Sequence, residues 1–225
     1  MVRNCLLAIF NEYESDLNSL EFAGTGFFIN NGIFLTAAHV LNNCKKSYAV
    51  LENAPGKLYE INLLHKEYLS ISDLQCLEDF DDYLDLAICK IDIPENNYFQ
   101  LNTEEIEKNQ ELIFVGYAPT GLYSKCQNEE ERILAFEYKE FGGNLVFEFA
   151  KFSRCNTRFS NCFTFKTNYS AKRKSPVKGM SGGPIFIFKN GQFFIVGLFL
   201  LSEINMPNPL SYAISSNYIL SKIID

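Results

Sequence analysis

The stretch "KGMSGGPIF", residues 178–186, sets three glycines and a proline around Ser181, immediately before an apolar run. Glycines at 179, 182 and 183 reach backbone conformations closed to other residues, and they let a second stretch of chain come close. A serine held in such a turn exposes its hydroxyl. The N–H groups of Gly179 and Ser181 can then converge on an oxygen that is gaining negative charge. Taken alone, the segment also reads as a plain glycine-rich hairpin. What surrounds it decides between the two.

"GMSGG" satisfies the G-x-S-x-G pattern of α/β-hydrolases, in which the base histidine follows the serine in the chain. The chain has two histidines, His39 and His65, and both precede Ser181. That reading has no general base and fails. The remaining order is His…Asp…Ser. A serine hydroxyl is a poor nucleophile at neutral pH, and an imidazole with a pKa of about 6.5 can take its proton. His65 lies in "NLLHKEY" (62–68) beside charged residues and reads as a surface histidine. His39 lies in "GIFLTAAHV" (32–40), where an apolar strand gives way to Ala37 and Ala38, which leave room for a substrate beside the ring. The third group must be an acid that holds the imidazole in one tautomer. "DYLDLAICKI" (82–91) offers Asp82 and Asp85. Asp85 opens an apolar run, so its carboxylate can be buried against an imidazolium. Asp79, Asp81 and Asp82, in "EDFDDY" (78–83), read as a solvated acidic turn.

Outward from these segments, short apolar and aromatic runs recur between glycine, asparagine and acidic residues. They lie at 5–10, 26–29, 33–36, 47–51, 58–64, 86–91, 112–117, 145–149, 163–167, 185–188, 193–201 and 212–214. This strand-and-turn rhythm predicts an all-β sandwich or barrel. "KNGQ" (189–192) predicts a tight hairpin, because Asn-Gly tolerates positive φ. Only "SSNYILSKIID" (215–225) reads as a helix, capped by Ser215 or Ser216, with Tyr218, Ile219 and Ile223 as its apolar stripe. The polar segment 92–110 carries no strand pattern and divides the runs into two groups of similar size. Two barrels or one larger sandwich both fit.

The formal charge of −7 argues against nucleic acid as the main partner. The longest apolar run, 193–201, is about half the ~20 residues that a membrane-crossing helix needs. The first residues lack the apolar core and small-residue cleavage site of a secretory signal, so a cytoplasmic protein is expected. Seven cysteines (5, 44, 76, 89, 126, 155 and 162) show no CxxC spacing. Neither a zinc site nor any other cofactor is therefore expected, and reduced thiols are. Cys89, in "LAICKI", reads as a small core residue.

Three separated motifs, "TAAHV" around His39, "DLAI" around Asp85 and "GMSGGP" around Ser181, together resemble those of the trypsin-like (chymotrypsin-fold) serine proteases. "GTGFFI" (24–29) is similar to the glycine-started strand of bacterial members, and "YAISSNYI" (212–219) to the last strand and C-terminal helix of the family. The resemblance implies two six-stranded antiparallel β-barrels with a C-terminal helix. His39 and Asp85 would belong to a first barrel (1–100), followed by a linker (101–110), and Ser181 to a second barrel (111–225). It implies a bacterial intracellular serine endopeptidase with His39, Asp85 and Ser181 as catalytic residues and an oxyanion hole made by Gly179 and Ser181. Backbone groups of Leu200, Leu201 and Ser202 would pair with the substrate as an added strand. Ser175 would lie at the base of the primary specificity pocket and Leu210 near its wall.

Departures from the family pattern carry information too. The extracellular digestive members have cysteines where this chain has Val40 and Val177, so both usual disulfides are missing. The residue before the nucleophile is acidic in members activated by a freshly cut N-terminus, and here it is Met180. Without an acid at Ser175 the residue before the scissile bond is expected to be neutral or apolar. Lys172, Arg173, Lys174 and Lys178 read either as a solvated loop or as a preference for an acidic side chain. The partner is a protein or peptide substrate, with room for a regulatory protein. By analogy with small cytosolic proteases of this type, limited proteolysis in bacterial defence or stress is expected. The rival from another class is a catalytically inactive peptide-binding module on the same fold.

Overall fold

Turn residues cut the first half of the chain into β1 (Leu6–Tyr13), β2 (Asp16–Asn30), β3 (Ile33–Thr36), β4 (Lys46–Leu51), β5 (Ala54–Glu60), β6 (Asn62–Tyr68) and β7 (Asp85–Lys90). The structure, a computed structural model, describes residues 2–13, 16–68, 84–102, 106–119, 136–147, 150–151, 158–159, 161–167, 177–202 and 210–224. The seven strands form one antiparallel sheet in the order β5-β4-β1-β2-β3-β7-β6. The resemblance implies a six-stranded barrel here, whereas the described residues form a seven-stranded sheet with β5 and β6 at its two ends. The seventh arises because the run 58–64 turns a corner at Ile61, whose N–H donates to Ser47 O at 2.9 Å, and splits into β5 and β6.

The second half contributes β8 (Glu111–Pro119), β9 (Phe136–Phe147), a short pair β10 (Ala150–Lys151) and β11 (Arg158–Phe159), then β12 (Cys162–Thr167), β13 (Pro184–Lys189), β14 (Gln192–Ser202) and β15 (Leu210–Ser215). Six of these close into a barrel in the order β12-β15-β14-β13-β8-β9. The fold class is thus all-β, with α1 (Ser216–Ile224) as the one α-helix among the described residues.

Buried phenylalanines fill both the first sheet's core and the barrel interior. Phe114 stacks on Phe199 at 5.0 Å between ring centroids and meets Phe165 edge-on at 5.4 Å. Each such fully buried ring contributes about 1.5–3 kcal/mol by leaving water. In β1 every residue from Leu6 to Asn11 is buried, because both faces of the strand are covered. Cys89 is wholly buried, as its apolar neighbours suggest, and burial pushes its thiol up to about 12.

Asn190 and Gly191 both take positive φ (53° and 79°), and Lys189 pairs with Gln192, which makes the expected two-residue hairpin. At α1, Ser215 Oγ accepts the Tyr218 N–H at 3.3 Å as an N-cap. Of its stripe, Ile219 is wholly buried, whereas Ile223 is exposed. The polar segment before β8 is more than a tether. Phe99 donates its N–H to Phe28 O at 2.9 Å and packs its ring 5.1 Å from that of Phe186, so it bridges the sheet and the barrel.

Candidate active site

β3 ends at Thr36, and a single 3-10 turn, Ala38–Leu41, carries His39. The neighbouring strand β7 begins at Asp85 and pairs antiparallel with β3, Thr36 opposite Ala87. Asp85 therefore lies beneath the turn. Its carboxylate is wholly buried and accepts two hydrogen bonds from one residue: His39 N–H to Oδ1 at 2.8 Å and His39 Nδ1 to Oδ2 at 2.6 Å. A carboxylate only accepts, so Nδ1 carries the proton and Nε2 is left with a lone pair. The imidazole is one-third exposed. Burial alone pulls the His39 pKa down, but the charge of Asp85 and its hydrogen bond outweigh burial and hold it above 6.5.

The glycine loop lies against this side of the sheet. Gly179 and Gly182 take φ of +87° and +86°. Gly182 is packed so closely that a Cβ would lie 2.2 Å from Thr25 O and 2.8 Å from Ala37 N, two residues before His39. A Cβ on Gly24 would meet Val40 Cγ2 at 2.7 Å and Ser181 O at 3.0 Å. The Val40 isopropyl group thus fills the space beside Gly24. Within the loop, Met180 N–H donates to Val177 O, Gly182 N–H to Phe199 O and Gly183 N–H to Met180 O. Among the described residues the Gly179 and Ser181 amides have no such acceptor. Met180 is wholly buried in the apolar core of the barrel.

Ser181 Oγ donates to Leu200 O at 2.8 Å. Leu200 is the extra residue of a bulge, since Phe199 pairs with Ala213 and Leu201 with Tyr212. A bulge re-aims the groups it carries, and here it brings the Leu200 carbonyl to the serine. The β13 ladder ends opposite Leu198, and the glycine loop takes over both polar groups of Phe199. Leu201 and Ser202 continue the strand, half-buried. Leu210, also half-buried, opens β15, and its carbonyl accepts Ser202 Oγ at 3.4 Å. Ser175, the acidic turn 78–83 and the basic residues 172–174 lie outside the described residues. His65 is exposed on β6 at the end of the sheet, with Nε2 3.3 Å from Glu67 Oε1.

Sequence reasoning overlooked Thr25. It is wholly buried in β2 and bonded to the loop at both its amide and its hydroxyl. The available signal was a polar residue between two glycines at the head of an apolar strand, "GTGFFI".

No helix among the described residues is long and apolar enough to cross a membrane. Among curated protein sequences none is significantly similar to the chain. Among solved structures, the active form of the Rv3671c protease from M. tuberculosis is similar in fold, with a TM-score of 0.64 at 14% identity, covering 99% of this chain and 81% of that one. The inactive form of the Rv3671c protease superimposes with a TM-score of 0.60 at 16% identity, covering 99% and 89% respectively. The family model described as "Trypsin-like peptidase domain" matches residues 24–198, well over half of the chain. The buried carboxylate under a histidine turn and the glycine-bound serine thus stand within a known sequence family: the chain belongs to the trypsin-like peptidases.

Proposed function

We propose that the protein is a serine endopeptidase in which Ser181 is the nucleophile, His39 the general base and Asp85 the group that orients the imidazole. The observation that carries this reading is the double hydrogen bond from His39 to the buried Asp85, 2.8 and 2.6 Å long. Such a contact settles the tautomer and stabilises the cation that forms when Nε2 takes a proton. A substrate strand lies along Leu200–Ser202 by backbone pairing. The Ser181 hydroxyl rotates from Leu200 O to His39 Nε2, gives up its proton there, and Oγ bonds to the scissile carbonyl carbon. The carbonyl oxygen, now negative, takes the N–H groups of Gly179 and Ser181. His39 passes its proton to the leaving amine, and water then resolves the acyl-enzyme by the same route in reverse.

By the family resemblance Ser175 and Leu210 would line a pocket for a neutral or apolar residue, and the products would be those of limited cleavage in a particular protein partner. Labelling by a fluorophosphonate probe tests the reading. Wild type should react and Ser181→Ala should not. A folded wild type that never reacts would overturn it. One observation favours a second reading, a peptide-binding module: the Ser181 hydroxyl donates to Leu200 O. In that case peptides bind while the probe leaves the protein unlabelled.

A further inference from the structure

Thr25 makes four hydrogen bonds to three different parts of the fold. Its carbonyl accepts Thr36 Oγ1 at 2.7 Å, at the end of the strand that leads to His39. Its N–H donates to Ser181 O at 2.9 Å. Its hydroxyl oxygen accepts the Tyr117 N–H at 2.9 Å and gives its own proton to Gly179 O at 2.9 Å. A hydroxyl has one proton, and the Tyr117 amide, by taking a lone pair, helps direct that proton to the loop. Gly116 in β8 makes the approach feasible, since a Cβ there would lie 3.0 Å from Thr25 Oγ1.

The two bonds to the loop act on alternate peptide planes. In the Gly179–Met180 plane the carbonyl is held by the Thr25 hydroxyl and the N–H by Val177 O at 3.0 Å. In the Ser181–Gly182 plane the carbonyl is held by the Thr25 amide and the N–H by Phe199 O at 2.7 Å. The plane between them, Met180–Ser181, has its carbonyl on Gly183 N–H at 2.9 Å. In a trans peptide the N–H points opposite to the C=O, so the Ser181 amide faces away from the loop's own bonds.

We infer that Thr25 is a positioning residue: it clamps the peptide planes on either side of the Ser181 amide, so that this donor and that of Gly179 stay aimed at the substrate's developing oxyanion. The hold on the loop stands on the hydrogen bonds alone. Its kinetic effect rests on the serine-peptidase reading above.

Thr25→Val keeps the shape and removes the hydroxyl, leaving the Tyr117 N–H and Gly179 O buried without their partner. Thr25→Ser keeps the hydroxyl. Amide hydrogen exchange over residues 177–183 should be about tenfold faster in Thr25→Val, with the β1 amides unchanged and Thr25→Ser like wild type. Fluorophosphonate labelling of Ser181 should slow by roughly 10–100-fold in Thr25→Val and recover in Thr25→Ser. On a cleaved peptide the loss should fall on kcat and leave KM within about twofold, because Thr25 touches no substrate atom. Unchanged exchange over 177–183, or exchange accelerated everywhere with labelling that tracks the folded fraction, would overturn the inference. If wild type takes no label, the peptidase reading falls while the exchange result still decides whether Thr25 holds the loop. Should Thr25→Val not fold, Thr25→Cys, with its weak thiol donor, carries the same comparison.

Discussion

The Ser181 hydroxyl donates to the carbonyl of Leu200, a residue nineteen positions further along the chain, at 2.8 Å. That carbonyl belongs to the bulge on the strand edge proposed to receive the substrate. One proton cannot serve Leu200 O and His39 Nε2 together, so in the proposed mechanism the hydroxyl must turn away from Leu200 O before it can serve the imidazole. On that proposal, a substrate N–H bonded to Leu200 O weakens this carbonyl as an acceptor and favours turning of the hydroxyl toward the imidazole.

It follows that the backbone N–H of the residue before the scissile bond matters for turnover as well as for affinity. A peptide N-methylated at that nitrogen should lose about 10–100-fold in kcat/KM relative to its parent, the equivalent of about 1.4–2.8 kcal/mol. Steady-state assays on the matched pair measure this, and equal rates would remove Leu200 O from the mechanism.

Substitution of the two histidines separates their roles. His39→Ala should lower kcat by roughly 10⁴-fold or more while the protein stays folded by circular dichroism. His65→Ala, at an exposed site on β6, should leave kcat within about twofold. The opposite pattern would exchange the assignments.

The His39–Asp85 pair also sets the pH response. His39 accepts a proton only when neutral, so activity should fall as pH drops through its pKa, which lies above 6.5. Asp85→Asn should move the acidic limb of the kcat/KM profile downward, because the charge that raises that pKa is gone. For folding the sign is opposite. A raised histidine pKa adds stability in full below about 6.5, and that part is lost as pH climbs through the folded value. A pH–rate profile and melting curves on both forms report the two effects.

Gly182 has no room for a side chain. A methyl group there would meet Thr25 O at 2.2 Å and Thr36 Oγ1 at 2.3 Å, at a φ of +86°. Gly182→Ala should destabilise the fold by roughly 2–4 kcal/mol, combining left-handed strain with overpacking. It should also abolish probe labelling. Chemical denaturation gives the first quantity.

Glu67 ties the first sheet to the C-terminal helix. It accepts Tyr218 OH at 2.7 Å and pairs with Lys222 Nζ at 2.8 Å, with His65 Nε2 at 3.3 Å. Burial alone would raise its pKa, yet the bonds from Lys222 and Tyr218 prevail and lower it. A depressed carboxyl adds stability above about 4.5 and loses it as pH falls through the folded value. Glu67→Gln should therefore melt below wild type at pH 7, and the gap should close in acid.

The residues proposed for the site stand out in the sequence because the chemistry proposed for them needs particular residue types. An imidazole after a strand, an acid opening a buried run and a serine among glycines leave marks in the primary structure, and their order excluded the α/β-hydrolase alternative. The all-β class was legible from short runs bounded by turn residues, and the Asn190–Gly191 hairpin from its positive-φ residues. The corner at Ile61 was not, because an apolar residue without glycine or proline looks like the middle of one strand. Phe99 was hidden for a related reason: a single ring inside a polar segment carries no period.

By itself, then, the sequence determined the fold class and which side chains could carry acid–base and nucleophilic chemistry, since both follow from local pattern and residue type. Only the tertiary structure decided that Thr25 clamps the glycine loop, that Val40 fills the space beside Gly24, and that the Ser181 hydroxyl donates to Leu200 O. Those are choices among hydrogen-bond acceptors and packing neighbours far apart along the chain. They exist only once β2, β8 and β14 have been brought together.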